Sequence, residues 1–295
     1  MLSAREAACA LAEGLRRGGG VAVELPVADG GEGTADAIGG EERAARAADA
    51  LGRPIEATWV VRQDGSAVVD SAAALGLPLL VESERDPMRA SSAGLGELLL
   101  AVLAERPTSV VVGVGGTATV DGGAGLREVL PSWPGEVPLR VACDVRNTLL
   151  DAAYVFAPQK GASPAEVEEL ARRLVADAAL APYADLPGAG AGGGLGAALA
   201  SLGGELVDGA KLVLDAIDFD GHVRESELVV TGEGTVDETT FAGKAPGAVV
   251  ERCRALGVRC VLFGGRVRGA GAIALSGDPS RAREDLVELG ERLAG

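Results

Sequence analysis

SVVVGVGGTATVDGGAGLREVL, residues 109–130, contains the pattern on which the fold turns. Its first six residues are a β-branched run and predict a strand over 109–114. The run ends in glycines, and a short helix is expected near 122–130. Strand, glycine turn and helix in succession form the unit of an α/β fold, and open α/β sheets bind ligands at the carboxyl ends of their strands.

The same alternation extends in both directions. Upstream, Ser3 and Glu6 form a capping box that opens a helix over 3–17, followed by a strand at VAVEL (21–25). ATWVV (57–61) and AVVD (67–70) flank Asp64-Gly65 as a hairpin, and a helix is expected over 94–105. Downstream, LRVAC (139–143), KLVL (211–214), ELVVT (227–231) and CVLF (260–263) read as strands. Helices are expected from Pro164 to about 179, and over 194–202, 246–256 and 280–293. Val- and Leu-rich strands between helices argue for mostly parallel sheets covered on both faces.

The chain has 295 residues, 47% of them hydrophobic, enough for about two domains. Its net charge of −16 disfavours nucleic acid and anionic membrane as partners. The four cysteines, Cys9, Cys143, Cys253 and Cys260, show no metal-ligand or disulfide spacing and read as free thiols of a cytoplasmic protein. No signal peptide or membrane span is evident. The single histidine, His222, sits among charged residues and reads as a solvated loop residue.

The 44 glycines gather with Asp, Glu and Thr in four segments: 27–36, 113–123, 188–196 and 231–237. Glycine there lets backbone N–H groups converge on an anion. Carboxylates beside such a site repel a phosphate unless a divalent cation intervenes. Asp29, Glu32, Asp121, Glu233 and Asp237 are therefore candidates for Mg²⁺ or for orienting a hydroxyl, with helix capping as the competing role. Lys160, Lys244 and Arg146 supply cations, and the set suits phosphoryl transfer, which needs positioning and charge neutralisation. There is no Walker A pattern. Gly188, Gly190 and Gly193 fit GxGxxG with Asp215 downstream, but 180–187 makes a poor strand, which disfavours a nicotinamide-dependent oxidoreductase.

VADGGEGTADAI (27–38), VGVGGTATVDGGAGL (112–126), VACDVRNTLL (141–150), VFAPQKGAS (155–163), GAGAGGGLGAAL (188–199) and VVTGEGTVDETTFAGKAPG (229–247) occur in the order seen in the type I glycerate kinases, and the whole chain resembles that family. The resemblance implies ATP- and Mg²⁺-dependent phosphorylation of D-glycerate to 2-phosphoglycerate. It also implies a flavodoxin-like domain built from 1–38 and 225–295, with an inserted α/β domain over 39–224 and the active site in the cleft between them. By the same resemblance, Asp29, Glu32, Glu233, Asp237 and Lys244 would face the site from the first domain. Gly115, Gly116, Thr117, Asp121, Asp144, Arg146, Asn147 and Lys160 would face it from the insert. Gly115, Gly116, Thr117, Asn147, Gly232 and Gly234 are the candidates for binding nucleotide. Asp144, which directly follows a strand and lies near possible cations, is the candidate general base, with a turn residue capping the next segment as the competing reading. Relatives begin with a strand and an Asp-Ser-Phe-Lys-Gly loop, whereas this chain starts at Met1-Leu2-Ser3-Ala4, so upstream in-frame codons are expected to encode that segment. A non-catalytic paralogue that binds glycerate or nucleotide is the alternative reading. Homo-oligomerisation is left open.

Overall fold

A computed structural model describes residues 2–241, 243–269 and 271–295. Ala242, inside the last of the family motifs, lies outside the described residues. Two compact units emerge: Met1–Ala28 with Ala210–Gly295, and Asp29–Gly209. The boundaries expected at 38/39 and 224/225 thus fall at 28/29 and 209/210. Asp29 and Glu32 belong to the central unit.

The chain opens with helix α1, Ala4–Arg17, capped by the expected reciprocal Ser3–Glu6 box. VAVEL does not form a strand. Val21 and Val23 are exposed, and no described strand lies alongside to satisfy their backbone groups.

In the central unit the order is α2 (Thr34–Ile38), β1 (Glu41–Ala48), β2 (Pro54–Val61), β3 (Ala67–Asp70), α3 (Ala72–Leu75), α4 (Ala93–Ala104), β4 (Val110–Val114), α5 (Ala124–Val129), β5 (Leu139–Cys143), α6 (Ala152–Phe156), α7 (Pro164–Ala176), α8 (Ala191–Ser201) and β6 (Glu205–Asp208). The six strands lie in sequential order, antiparallel from β1 to β3 and parallel from β3 to β6. β1 and β6 are strands that the pattern did not reveal. β1 pairs residue for residue with β2, from Glu41 opposite Val61 to Ala48 opposite Pro54. Its charges suit an edge strand, where they discourage pairing with another chain. The core gathers Val110, Val112 and Val114 of β4, Val141 of β5, and Leu95, Leu98, Leu99, Leu195 and Leu199 of the helices. Each such side chain contributes about 1.5–3 kcal/mol on burial.

The other unit continues with α9 (Gly209–Ala216), which begins at the boundary between the units. It is followed by α10 (Phe219–Arg224), β7 (Leu228–Val236), α11 (Ala245–Leu256), β8 (Arg259–Val267), β9 (Ile273–Ala274) and α12 (Ala282–Ala294). β7, β8 and β9 form a parallel three-stranded sheet in that order. KLVL, expected as a strand, is the middle of α9, where Leu212, Val213 and Leu214 are buried. His222 lies on α10, exposed, instead of in a loop. Helices α1 and α12 meet at two glycines. A Cβ on Gly14 would lie 2.0 Å from the Val287 carbonyl oxygen, and one on Gly290 2.4 Å from that of Leu11. Among the described residues no helix is long and apolar enough to cross a membrane.

Candidate active site

β4 and β5 end side by side in the middle of the central sheet, and their exit loops carry Gly115-Gly116-Thr117 and Asp144-Val145-Arg146-Asn147. The segment from Asp29 to Gly33 crosses these strand ends at backbone contact distance. A Cβ on Gly30 would lie 2.6 Å from Gly209 Cα and 3.0 Å from the Ala142 carbonyl carbon, and one on Gly115 2.7 Å from Gly31 Cα. Gly30 also has φ +98°, so glycine is required there twice over.

This crossing gathers four carboxylates. A Cβ built on Gly31 would lie 3.5 Å from Asp29 Oδ1 and 3.6 Å from Asp144 Oδ2, which places both acids beside this glycine. Burial, reinforced by the Asp29 charge, pushes the Asp144 carboxyl up to about 6. Glu32 Oε2 would lie 2.8 Å from a Cβ on Gly116, which puts it against the first loop. Asp70, at the end of β3, accepts hydrogen bonds from the Gly33 and Ala35 amides at 2.8 and 3.1 Å. Burial pushes its carboxyl up to about 6, with the like charges of Glu32 and Asp36 adding to the effect and the two amides opposing it. Asp70 was absent from the expected site. The signal that would have found it is the one that found Asp144: an Asp at the carboxyl end of a strand.

Two expected members do something else. Asp121 accepts from the Ser92 amide and hydroxyl at 2.9 and 2.8 Å, and from the Gly123 and Gly125 amides at 3.1 and 3.2 Å. With its oxygens so engaged it holds the start of α5 to the start of α4, the capping role that competed with metal binding. Lys160 is 3% exposed and donates to the Thr119 carbonyl at 2.8 Å and Thr117 Oγ1 at 3.3 Å. Burial draws its ammonium down to about 7, with Asp121 pulling the other way. It braces the glycine loop from beneath and is not an exposed phosphate ligand. Thr117 Oγ1 in turn donates to the Gly192 carbonyl at 3.3 Å. Arg146 is exposed at the mouth of the second loop, and the Asn147 carbonyl accepts from the Gly190 amide at 3.0 Å.

Three consecutive left-handed glycines, Gly192, Gly193 and Gly194, form the kinked entry to α8 under this loop. Gly193 has φ +74°, and a Cβ there would lie 2.2 Å from the Thr119 carbonyl oxygen. Gly193→Ala is expected to destabilise the protein by about 3 kcal/mol or more, from combined strain and clash. Urea unfolding measures this, and a loss below about 1 kcal/mol would contradict the packing described. The same segment disposes of the dinucleotide fingerprint. The stretch before it contains a single 3₁₀ turn, Ala181–Tyr183, in place of a strand, and Asp215 lies in α9.

The other unit carries its own polar group. GEGTV, which lies beyond the strand expected at 227–231, is the second half of β7 and pairs with β8. Glu233 there accepts from Thr240 Oγ1 at 2.5 Å and forms an ion pair with Lys244 at 3.1 Å. Lys244 is the N-cap residue immediately before α11. Asp237 accepts from the Thr239 hydroxyl and amide at 2.6 and 2.9 Å, which hold its carboxyl below the ordinary range. Gly232 packs against the Phe263 ring, whereas a Cβ on Gly234 would meet open space.

A model of the Glycerate kinase family matches residues 1–133 and 129–278. A glycerate 2-kinase of Escherichia coli K12 is 38% identical over 292 residues, covering 83% of this chain and 77% of that protein. A glycerate kinase of Halalkalibacterium halodurans is 36% identical, covering 82% of this chain and 75% of its own. A crystal structure described as a glycerate kinase 2 from Salmonella typhimurium LT2 superposes with a TM-score of 0.83 at 30% identity, over 99% of this chain and 94% of that one. The ranges matched by the family model include the loops that hold Asp29, Gly115 and Asp144, and the chain belongs to the glycerate kinase family.

Proposed function

We propose that this protein is a cytoplasmic glycerate kinase that transfers the γ-phosphoryl of ATP to D-glycerate and yields 2-phosphoglycerate. The observation that carries the proposal is the Asp29–Asp144 pair beside Gly31, where the Asp29 charge acts on the buried Asp144 carboxyl at the end of β5. A carboxyl poised near 6 is ionised at neutral pH and basic enough to accept the proton of an acceptor hydroxyl. Asp144 takes that role, and Asp29 and Glu32 are the carboxylates for Mg²⁺.

The donor set fits that ion. Mg²⁺ retains waters and takes one or two carboxylates beside the phosphates of a nucleotide. Among the described residues no group of three or more His, Cys, Asp and Glu is arranged to hold a metal alone, a requirement that an ion arriving with ATP does not impose. When bound, it would neutralise phosphate charge. The Gly115 and Gly116 loop, braced by Lys160, and the exposed Arg146 face developing negative charge. In the other unit, Lys244 at the start of α11 suits phosphate, because helix N-termini and cations both favour anions.

Phosphorus NMR on the protein with ATP, Mg²⁺ and D-glycerate tests the proposal. Formation of 2-phosphoglycerate is expected. Formation of 3-phosphoglycerate would keep the kinase and overturn the regiochemistry, whereas ATP binding without turnover would make this a non-catalytic member of the family.

A further inference from the structure

Asp70 has no part in the chemistry proposed above, yet it is fastened to the segment that carries both carboxylates assigned to Mg²⁺. Helix α2 has five residues and begins after Gly33, which has no side chain to cap it. A helix start leaves its first amides without intrahelical partners. Asp70 supplies the missing acceptors from another element. Its Oδ2 accepts from the Gly33 amide at 2.8 Å and its Oδ1 from the Ala35 amide at 3.1 Å, 37 and 35 residues away in sequence. Each carboxylate oxygen is thus engaged by the backbone that leads directly out of Asp29–Gly33.

The surrounding packing holds the same segment in the same place. Asp70 lies in register with Gly113 of β4. A Cβ on Gly113 would lie 3.0 Å from Asp70 Oδ1 and 3.1 Å from the carbonyl oxygens of both Gly30 and Gly31. The absent side chain leaves room for the carboxylate and for the crossing backbone together. Thr34, fully buried, donates its hydroxyl to the Gly31 carbonyl at 2.9 Å. Glu32 sits between these two ties, with its Oε2 against Gly116. Asp70 faces the like charges of Glu32 and Asp36. An asparagine would escape that repulsion, but it would offer an oxygen to only one of the two amides.

We propose that Asp70 is a positioning residue for the reaction: it fixes the Asp29–Gly33 segment at the ends of β4 and β5 and acts on turnover through Glu32. This rests on the kinase reading above, in which Glu32 is a carboxylate for Mg²⁺. Asp70 itself touches no reacting atom. What it sets is the place at which Glu32 meets the glycine loop.

Asp70→Ala removes both acceptors and Asp70→Asn removes one. Hydrogen exchange of the full chain, followed by mass spectrometry, reads the tie directly. Exchange in the peptide covering 29–38 should rise about tenfold or more in Asp70→Ala and less in Asp70→Asn, while exchange in β4 stays as in the wild type. Kinetics read the route. With Glu32 in place, Asp70→Ala should lower kcat by about 30-fold and raise the Mg²⁺ concentration that gives half the maximal rate, because small displacements of a binding group are costly. In a Glu32→Gln background the same substitution should cost less than about threefold, since the group through which Asp70 acts is already gone. An equal loss in both backgrounds would make Asp70 a merely structural residue and overturn the proposal, as would unchanged exchange in 29–38. If Asp70→Ala opens β4 to exchange, Asp70→Asn takes its place in both measurements. Absence of turnover in the wild type would instead overturn the kinase reading, and the exchange result would then decide alone whether Asp70 holds the segment.

Discussion

Asp144→Asn should reduce kcat by about 10³-fold and at the same time raise the stability of the protein at neutral pH. A positioned general base contributes about 10²–10⁴-fold, and asparagine of the same shape cannot take the proton. The stability gain has the opposite cause. Burial and Asp29 lift the folded-state pKa of Asp144 to about 6, above its ordinary 3.8. Between about pH 4 and pH 6 the folded protein therefore holds more protons than the unfolded chain, and stability falls as pH rises. Above pH 6 the full penalty of the buried charge applies, of the order of 2–3 kcal/mol. The variant escapes it, so its melting temperature should exceed that of the wild type at pH 7.5 and converge with it near pH 4. The wild-type kcat/KM should rise with pH through about 6, the limb on which Asp144 ionises. Turnover of Asp144→Asn within tenfold of wild type would remove this residue from the role of base.

Lys160→Met should also cost activity, by about 10²-fold, through loss of the brace under the glycine loop and not through loss of a phosphate contact. The ammonium is 3% exposed, and its two bonds run to Thr119 and Thr117. Methionine matches the length of the stem but leaves both acceptors without a donor. The diagnostic is the pH dependence of stability. Burial lowers the folded-state pKa to about 7 from 10.5, so between pH 7 and 10.5 the unfolded chain binds the extra proton. Wild-type stability carries from this group a favourable slope of about 1.4 kcal/mol per pH unit across that window, and below pH 7 the deficit is constant. The variant should lack the slope. Equal slopes for both proteins in urea titrations at pH 7.5 and 9 would refute the buried-ammonium account, whatever the activity.

Much of the central sheet was legible, because β4 and β5 are short apolar runs bounded by glycine, acid and turn residues, where local preference and tertiary burial agree. β1 was not. EERAARAA consists of residues that favour helix, and it is a strand only because β2 offers eight consecutive partners. KLVL failed for the converse reason. A four-residue apolar run has no period to read, and burial of three successive side chains suits a helix as well as a strand. In the site, Asp144 announced itself by its position at a strand end, whereas Asp70, at the end of β3, was passed over because its strand was read as half of a hairpin. What their surroundings do to them did not. Asp121 and Lys160 looked alike as charged residues near glycine, and only the amides around the one and the burial of the other separate a cap and a brace from a ligand.

The three left-handed glycines at the head of α8 carry a consequence for how the gene can vary. All glycine codons begin with the same two bases, and every single-base change at either of them specifies a residue with a Cβ or ends translation. At Gly192, Gly193 and Gly194 such a Cβ would lie 2.7, 2.2 and 2.8 Å from its nearest neighbour, on backbones with φ between +62° and +96°. The stretch of DNA behind the loop can therefore drift silently at its third positions while its first and second positions are frozen. In a saturation library of this chain, these three codons should stand out as a block that accepts synonyms and nothing else.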